Sequence, residues 1–256
     1  MLILISPAKS LDFETKSTSQ NYSEACFLKE SNALIKQLRK FSTDDISDFM
    51  GISPKLAQLN FDRFLSWQLP FNMENAKQAI LAFTGDVYTG IDASTLNETE
   101  LQTAQTDLRI LSGLYGVLKP LDLIQAYRLE MGKKLQTTKG KNLYEFWGDK
   151  ITKEINKTLK EKNDKCLINL ASNEYFKSVN KKKLDAEIIT PVFKDLKNGK
   201  YKVISFFAKK ARGLMTRFII QNKITDPEHL KAFNSDGYIF NPHLSNNQEL
   251  VFTRDQ

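Results

Sequence analysis

Three short apolar runs in the sequence each end abruptly in small or polar residues. These runs are Leu2 to Ile5, Ala79 to Phe83 and Cys166 to Leu170, followed by Ser6-Pro7-Ala8-Lys9, Thr84-Gly85-Asp86 and Ala171-Ser172-Asn173. Short continuous apolar runs are typical of central strands that are buried on both faces. If the strands are parallel, their carboxyl ends bring Lys9, Asp86, Asn173 and Glu174 to one edge of the sheet, where open α/β folds bind ligands.

Helical and hairpin patterns lie between and after these runs. The clearest helix has an apolar residue every four positions: Leu143, Trp147, Ile151, Ile155 and Leu159. Asn198-Gly199 predicts a hairpin turn between Pro191 to Lys197 and Lys200 to Phe207, because both residues tolerate positive φ. The sequence of 256 residues therefore predicts one mixed α/β (α+β) domain over residues 1–256, with a central mixed sheet and surrounding helices.

Residues 42–66 predict two short helices joined by a tight glycine turn, a helix-hairpin-helix element. Ser42 or Thr43 caps the first helix, whose apolar residues Ile46, Phe49 and Met50 follow helical spacing. Ser53-Pro54 has the capping and first-turn chemistry of a second helix start. About 25 residues cannot bury a core of their own, so we expect the element to be part of the larger domain.

The Met50-Gly51-Ile52 turn has two interpretations. In the first, backbone N–H groups at Gly51 and the positive end of the second helix face a DNA phosphate, with Lys55 as an added cation. In the second, the glycine serves only to close a short turn between packed helices. Three aspartates at positions 44, 45 and 48 would repel a phosphate backbone unless they point away from it.

The charge balance favours anionic partners, and DNA, double-stranded or structured, is the expected one. The sequence has 37 Lys and Arg against 30 Asp and Glu, a formal net charge of +7.

Neither a secretory signal nor a membrane span is indicated, so no membrane partner is expected. Cys26 and Cys166 form no CxxC pair, which fits a cytoplasmic location. With His229 and His243 as the only histidines, no metal or cofactor is expected. The oligomeric state is not predicted.

The segment from Lys209 to Phe218 is the strongest basic feature. At helical spacing its cations, Lys209, Lys210, Arg212 and Arg217, occupy one side, and Ala211, Leu214, Met215 and Phe218 occupy the other. The basic side is either a phosphate-binding surface or a solvated charged face.

Two glycine-rich segments add candidate cleft residues. Ser112 to Asp122 (SGLYGVLKPLD) and Tyr127 to Gly132 (YRLEMG) place Tyr115, Arg128 and Glu130 as a possible polar group, with Arg128 able to pair with Glu130 or a phosphate. Neither segment has the spacing of a phosphate-binding P-loop or a dinucleotide fingerprint. Ser6, Lys9, Glu130, Ser172 and Glu174 offer nucleophile and acid–base types. An enzyme of unknown reaction type, acting on nucleic acid or a phosphorylated small molecule, therefore remains the alternative.

Six ordered motifs resemble the YaaA family of bacterial peroxide-stress resistance proteins. They are Ile3 to Lys9, Phe83 to Gly90 (FTGDVYTG), SGLYGVLKPLD, YRLEMG, Asn169 to Ser172 and Ala208 to Phe218 (AKKARGLMTRF). From the first motif to the last, the match spans nearly the whole chain.

The resemblance implies a cytoplasmic protein that supports survival of hydrogen peroxide, with a mixed α/β fold, a basic cleft and a DNA-binding helix-hairpin-helix. It also implies an effect on intracellular iron, which the few histidines and cysteines suggest is indirect. Carried over by position, the cleft would use Lys9, Arg128, Lys209, Lys210, Arg212 and Arg217, and the hairpin would use Gly51 and Lys55.

Overall fold

A mixed sheet runs through the centre of the computed structural model, which describes residues 1–255. The strands are β1 (Leu2–Ile5), β2 (Ser10–Leu11), β3 (Lys77–Gln78), β4 (Phe83–Thr84), β5 (Leu108–Ser112), β6 (Gly116–Leu118), β7 (Leu123–Ile124), β8 (Cys166–Leu170), β9 (Glu187–Lys197), β10 (Lys200–Lys202), β11 (Ile239–Phe240) and β12 (Glu249–Arg254). The α-helices are α1 (Leu28–Leu38), α2 (Thr43–Met50), α3 (Pro54–Ser66), α4 (Ala79–Ala82), α5 (Asp86–Ile91), α6 (Glu98–Asp107), α7 (Leu143–Trp147), α8 (Lys150–Glu161), α9 (Asn173–Phe176) and α10 (Ser205–Gln221).

The centre of this sheet is parallel and its margins are antiparallel. The main strand order is β11-β12-β9-β8-β1-β5-β6, with β10 paired to β9. Strand β1 lies parallel between β5 and β8, with Ile3 opposite both Leu108 and Ile168. The residues of β1 are fully buried because helices cover both faces of a parallel sheet. The predicted mixed α/β fold is confirmed, and so is the parallel orientation of the first and third apolar runs.

The Ala79–Phe83 run is not a central strand, so that prediction was wrong. Its first four residues form the single turn α4, and Phe83 begins the two-residue strand β4, which pairs with β2 outside the main sheet. The N–H groups of Ala79 and Ile80 donate to the carbonyls of Asp122 and Pro120. A short apolar run does not distinguish a buried helical turn from a strand, because both bury every side chain.

Two other predicted elements are shorter than the patterns suggested. The apolar residues predicted at four-residue intervals, from Leu143 to Leu159, are buried as expected. However, Gly148, at φ 48°, separates α7 from α8 and divides the predicted helix in two. The turn at Asn198-Gly199 does join β9 to β10, yet β10 ends at Lys202 and α10 begins at Ser205. Both residues of that turn have positive φ, as its two-residue length requires.

The helix pair α2–α3 shares the hydrophobic core of the sheet. Ile46 and Met50 from α2, and Ala57 and Phe64 from α3, are buried in the same cluster as the strand residues. The Trp67 indole N–H, just after α3, donates to the Tyr115 hydroxyl at 3.0 Å. The pair is therefore anchored to the domain. Within residues 1–255 no helix is both long and apolar enough to cross a membrane.

Candidate functional site

A cleft opens where β1 and β8 end, because these parallel neighbours bring Ser6 and Ser172 together. The Ser172 N–H donates to Ser6 Oγ at 2.9 Å, and the Ser6 hydroxyl lies 3.3 Å from Ser172 Oγ. The Tyr88 hydroxyl donates to the Ser6 carbonyl at 3.1 Å. The cleft has a volume of about 380 Å³ and includes most of the predicted cleft residues in its lining: Ser6, Lys9, Glu130, Ser172, Glu174, Lys209 and Arg212.

Glu130 is the most deeply buried carboxylate of this cleft, with a side chain only 8% exposed. Its Oε1 atom accepts from Arg128 at 3.1 and 3.3 Å and lies 3.4 Å from the Lys9 ammonium. Its Oε2 atom is shielded from solvent and has no hydrogen-bond donor among the described residues. Arg128 therefore pairs with Glu130, one of the two partners considered from the sequence. A buried oxygen without a donor is unusual and costs free energy.

Helix α10 contributes two cations, Lys209 and Arg212, to the lining of the cleft. The Lys209 ammonium is 4.0 Å from Asp86 at the start of α5, which is the limit of an ion pair. Arg212 forms no ion pair within residues 1–255, and burial lowers the pKa of its guanidinium. The cleft thus combines unmatched positive charge near Arg212 with three carboxylates, those of Asp86, Glu130 and Glu174.

The other two cations of α10 lie away from the cleft. The Lys210 ammonium is 3.5 Å from Asp236, and the Arg217 guanidinium donates to the carbonyls of Ile91 and Asp92 at 2.7 and 2.9 Å. Arg217 thereby satisfies carbonyls at the end of α5. The single four-cation side predicted from helical spacing is corrected: Lys209 and Arg212 line the cleft, whereas Lys210 pairs with Asp236 and Arg217 binds the end of α5.

Tyr115 is also placed differently from the prediction. It is fully buried and does not line the cleft, and its hydroxyl accepts from Trp67 and from the Gln125 N–H at 3.1 Å. Two tyrosines that the sequence reasoning missed, Tyr88 and Tyr175, line the cleft instead. Tyr88 lies in the FTGDVYTG motif and Tyr175 follows the Asn169–Ser172 motif, so closeness to a predicted strand end was the available signal.

The apolar side of α10 follows the prediction. Ala211 and Met215 are fully buried, and Leu214 and Phe218 pack against the core. Helix α10 approaches α5 closely at two glycines: a Cβ added to Gly213 would lie 1.9 Å from the Val87 carbonyl oxygen, and one added to Gly90 would lie 2.3 Å from that of Lys210. This contact holds Asp86 near Lys209.

The helix pair has the cap chemistry that its sequence predicted. The Ser42 hydroxyl accepts from the Asp45 N–H, and the Asp45 carboxylate accepts from the Ser42 N–H at 2.8 Å, which completes a capping box. The Ser53 side chain accepts from the Leu56 N–H at the start of α3. Asp45 is therefore used within the element, while Asp44 and Asp48 are exposed.

Gly51 closes the turn in the left-handed conformation, at φ 61°, with nothing near its Cα that a side chain would meet. The N–H groups of Gly51 and Ile52 both donate to the Ser47 carbonyl, so they are occupied within the turn. The positive end of α3 remains: Lys55 is exposed in its first turn, and because Pro54 has no N–H and the Leu56 N–H is capped by Ser53, the N–H of Lys55 is the donor left there. Phosphate binding here would depend on α3 and Lys55 more than on the glycine.

One chain segment connects the helix pair to the cleft. The Lys133 ammonium donates to the Met50 carbonyl at 2.8 Å, beside the turn. The neighbouring Gly132 N–H donates to the Glu174 carboxylate at 2.9 Å, and Glu130 lies two residues earlier. The turn and the cleft therefore border the same segment, Arg128 to Lys133.

The described residues contain no group of three or more His, Cys, Asp or Glu side chains arranged to hold a metal ion. Although Cys26 is exposed as a residue, desolvation of its sulfur raises the pKa of the thiol to about 12, and partial burial raises the pKa of Cys166 to about 11. Both thiols are therefore protonated near neutral pH.

Fold and cleft together define a mixed α/β protein with a charged crevice at the carboxyl ends of parallel strands. The family model described as peroxide stress protein YaaA matches residues 1–244. A UPF0246 protein of Colwellia psychrerythraea is 57% identical over 256 residues, covering 100% of both chains. This chain belongs to the YaaA family of peroxide stress proteins, which confirms the resemblance carried by its motifs and supports a role in oxidative stress.

Proposed function

We propose that this chain acts in the hydrogen peroxide response by binding duplex or branched DNA, mainly through phosphates and without strong base specificity. Family membership supports the stress role. The DNA-binding part rests on one observation: the Arg128–Lys133 segment joins the turn of the helix pair to the cleft. A single DNA backbone can therefore meet both features on adjoining surface.

Phosphate contacts at the helix pair come from the start of α3. This helix has 13 residues, and its N-terminal dipole favours an anion within the first turn. Lys55 adds an exposed cation at the same place. Because Asp44 and Asp48 are exposed on α2, DNA approaches from the α3 side of the turn.

The cleft contributes a limited number of cations. Arg128 is paired with Glu130, and Asp86 and Glu174 reduce the positive potential further. Lys9, with a side chain 64% exposed, and the pair Lys209 and Arg212 are the groups able to turn toward a phosphate. Contacts of this kind are independent of base sequence, because they are made to the backbone.

A fluorescence anisotropy titration with labelled duplex DNA tests this proposal. The logarithm of affinity should fall linearly with the logarithm of salt concentration, by about 0.9 for each phosphate neutralised. Lys55→Ala should weaken binding to unrelated sequences equally and reduce the slope by about one phosphate.

The matched control is Lys160→Ala. Lys160 is exposed near the end of α8, close to the edge where the Met1 ammonium pairs with Asp164 and the parallel strands begin. This variant should keep the affinity and the slope of the unmodified protein. Absence of duplex and branched DNA binding at low salt would contradict the proposal, as would equal losses in the two lysine variants.

A further inference from the structure

The cleft contains a guanidinium that has no anionic partner. Arg212 is half-buried, forms no ion pair within residues 1–255, and has a pKa lowered by burial alone. Lys209, three residues earlier on the same helix, lies only at the limit of contact with Asp86. Residues three apart are neighbours on a helix surface, so the two cations can share one anion. Burying an unpaired charge is costly, and a bound anion would remove that cost.

The size of the cleft favours a small ligand at this position. Its volume of about 380 Å³ falls within the range of small-molecule sites, roughly 300 to 1,000 Å³. A duplex cannot enter such a space, but one monomer unit can. The location at the carboxyl ends of β1 and β8 is where α/β sheets bind small ligands.

The carboxylates of the cleft exclude a ligand that is only an anion. Glu130 has one oxygen shared by Lys9 and Arg128 and a second oxygen without a donor. Because the second oxygen is shielded from solvent, a ligand N–H reaches the carboxylate by replacing Lys9 at Oε1 or by turning the carboxyl group. Lys9 is largely exposed, so its displacement costs little, and it then becomes available to the anion. The site therefore fits a ligand with a phosphate at one end and N–H donors at the other.

We propose that the cleft binds one nucleotide, with its phosphate on Arg212 and Lys209 and the N–H edge of its base on Glu130. Tyr88 and Tyr175 border the cleft, with 6% and 8% of their surfaces exposed. The choice of a nucleotide rests on the proposed DNA-binding function. Its source is either a free mononucleotide or a nucleotide unstacked from DNA, since both present the same phosphate and base.

Calorimetric titrations with the four deoxynucleoside monophosphates, deoxyribose 5-phosphate and inorganic phosphate test the free source. At least one nucleotide should bind at one site, about tenfold or more tighter than either base-free phosphate, because the carboxylate pairs only with the base. Arg212→Gln should weaken nucleotide binding about tenfold or more. Glu130→Gln should weaken the nucleotide while leaving deoxyribose 5-phosphate unaffected.

Lys210→Gln is the matched control, because Lys210 is on the same helix but faces Asp236. It should bind nucleotides like the unmodified protein. Thermal unfolding monitored by circular dichroism establishes that each variant is folded. If Glu130→Gln does not fold, Arg212→Gln alone decides the phosphate contact, and the comparison of nucleotide with deoxyribose 5-phosphate on unmodified protein decides the base contact.

A duplex carrying 2-aminopurine opposite an abasic site tests the DNA source. Its fluorescence should rise on binding if the base leaves the stack, and Arg212→Gln should remove the rise while Lys210→Gln keeps it. A response from either source supports the proposal. Duplex binding by anisotropy with neither response overturns the pocket and leaves the DNA-binding function standing. Nucleotide binding without duplex affinity supports the pocket and overturns the DNA-binding function. Equal binding of inorganic phosphate and nucleotides also overturns the proposal.

Discussion

At the scale of single residues, the two thiols make direct peroxide chemistry an unfavourable explanation of the stress role. Peroxide reacts with the thiolate, and low-pKa, accessible cysteines are the usual sensors. Cys26 is exposed as a residue and Cys166 is partly buried, but desolvation of each sulfur raises both pKa values, and the nearby carboxylates of Glu154 and Asp122 raise that of Cys26 further. The Cys26 sulfur also lies 3.7 Å from the Val117 carbonyl oxygen.

We therefore predict slow alkylation of the native protein by iodoacetamide at pH 7. The rate should increase about tenfold per pH unit in alkaline solution, because only the thiolate reacts. The folded pKa of Cys166 lies above its ordinary value of 9.0, so native stability declines as pH rises from about 9 toward about 11. The variants Cys26→Ser and Cys166→Ser each retain one thiol, so their alkylation rates show how much of the measured rate belongs to each cysteine. Alkylation at pH 7 as fast as that of an unstructured cysteine peptide would contradict the account.

Several candidate residues were found from sequence because strand ends fix their positions. Ser6 and Ser172 follow two largely apolar strands, β1 and β8, and Lys9 and Glu174 lie close behind them. Tyr115 and Arg217 could not be placed, because their hydrogen-bond partners, Trp67 and the end of α5, come from distant parts of the chain. Residue type and spacing along one helix do not determine which element packs against each side.

At the scale of elements, the closest contact in the site wall is the crossing of α5 and α10 at Gly90 and Gly213. A methyl group on Gly213 would also lie 2.9 Å from the Gly90 Cα, so the helices would have to separate. That movement would shift Asp86 relative to Lys209 and widen the cleft.

We predict that Gly213→Ala lowers the free energy of unfolding by about 1 to 3 kcal/mol, as overpacking does. It should also weaken nucleotide binding. Urea denaturation measures the free energy of unfolding, and its m-value should stay unchanged. Calorimetric titration measures nucleotide binding. Gly51→Ala is the comparison: it has open space but a positive φ, so it should cost about 1 kcal/mol through backbone conformation and leave nucleotide binding intact. Unchanged stability of Gly213→Ala would show that the helices adjust freely.

The helix pair was predictable from sequence because its signals are local. The first helix begins at the Ser42 cap and ends at Gly51, and the second begins at Ser53-Pro54, so all three signals lie within one short segment. The occupied N–H groups at the turn were not predictable, since they depend on the Ser47 carbonyl and the exact closure of the turn. Similarly, Ala79 to Ala82 became a helical turn because its backbone partners belong to residues 120–122.

At the scale of the whole molecule, the sheet gives the site its organisation. Parallel pairing of β1 with β5 and β8 brings the ends of strands more than 100 residues apart to one edge. The mixed α/β class and this edge followed from the apolar runs. The strand order at the margin of the sheet, β9, β12 and β11, could not be predicted, because pairing between distant strands has no local sequence signal.

The central claim, that the helix pair and the cleft bind one DNA molecule, is tested most directly by hydrogen–deuterium exchange with and without duplex DNA. We predict slower exchange in two places on binding: the start of α3 around Lys55, and the segment from Arg128 to Lys133 beside the cleft. Residues near Lys160, at the opposite edge of the sheet, should exchange at unchanged rates. Protection confined to that opposite edge, or to only one of the two predicted places, would contradict the account.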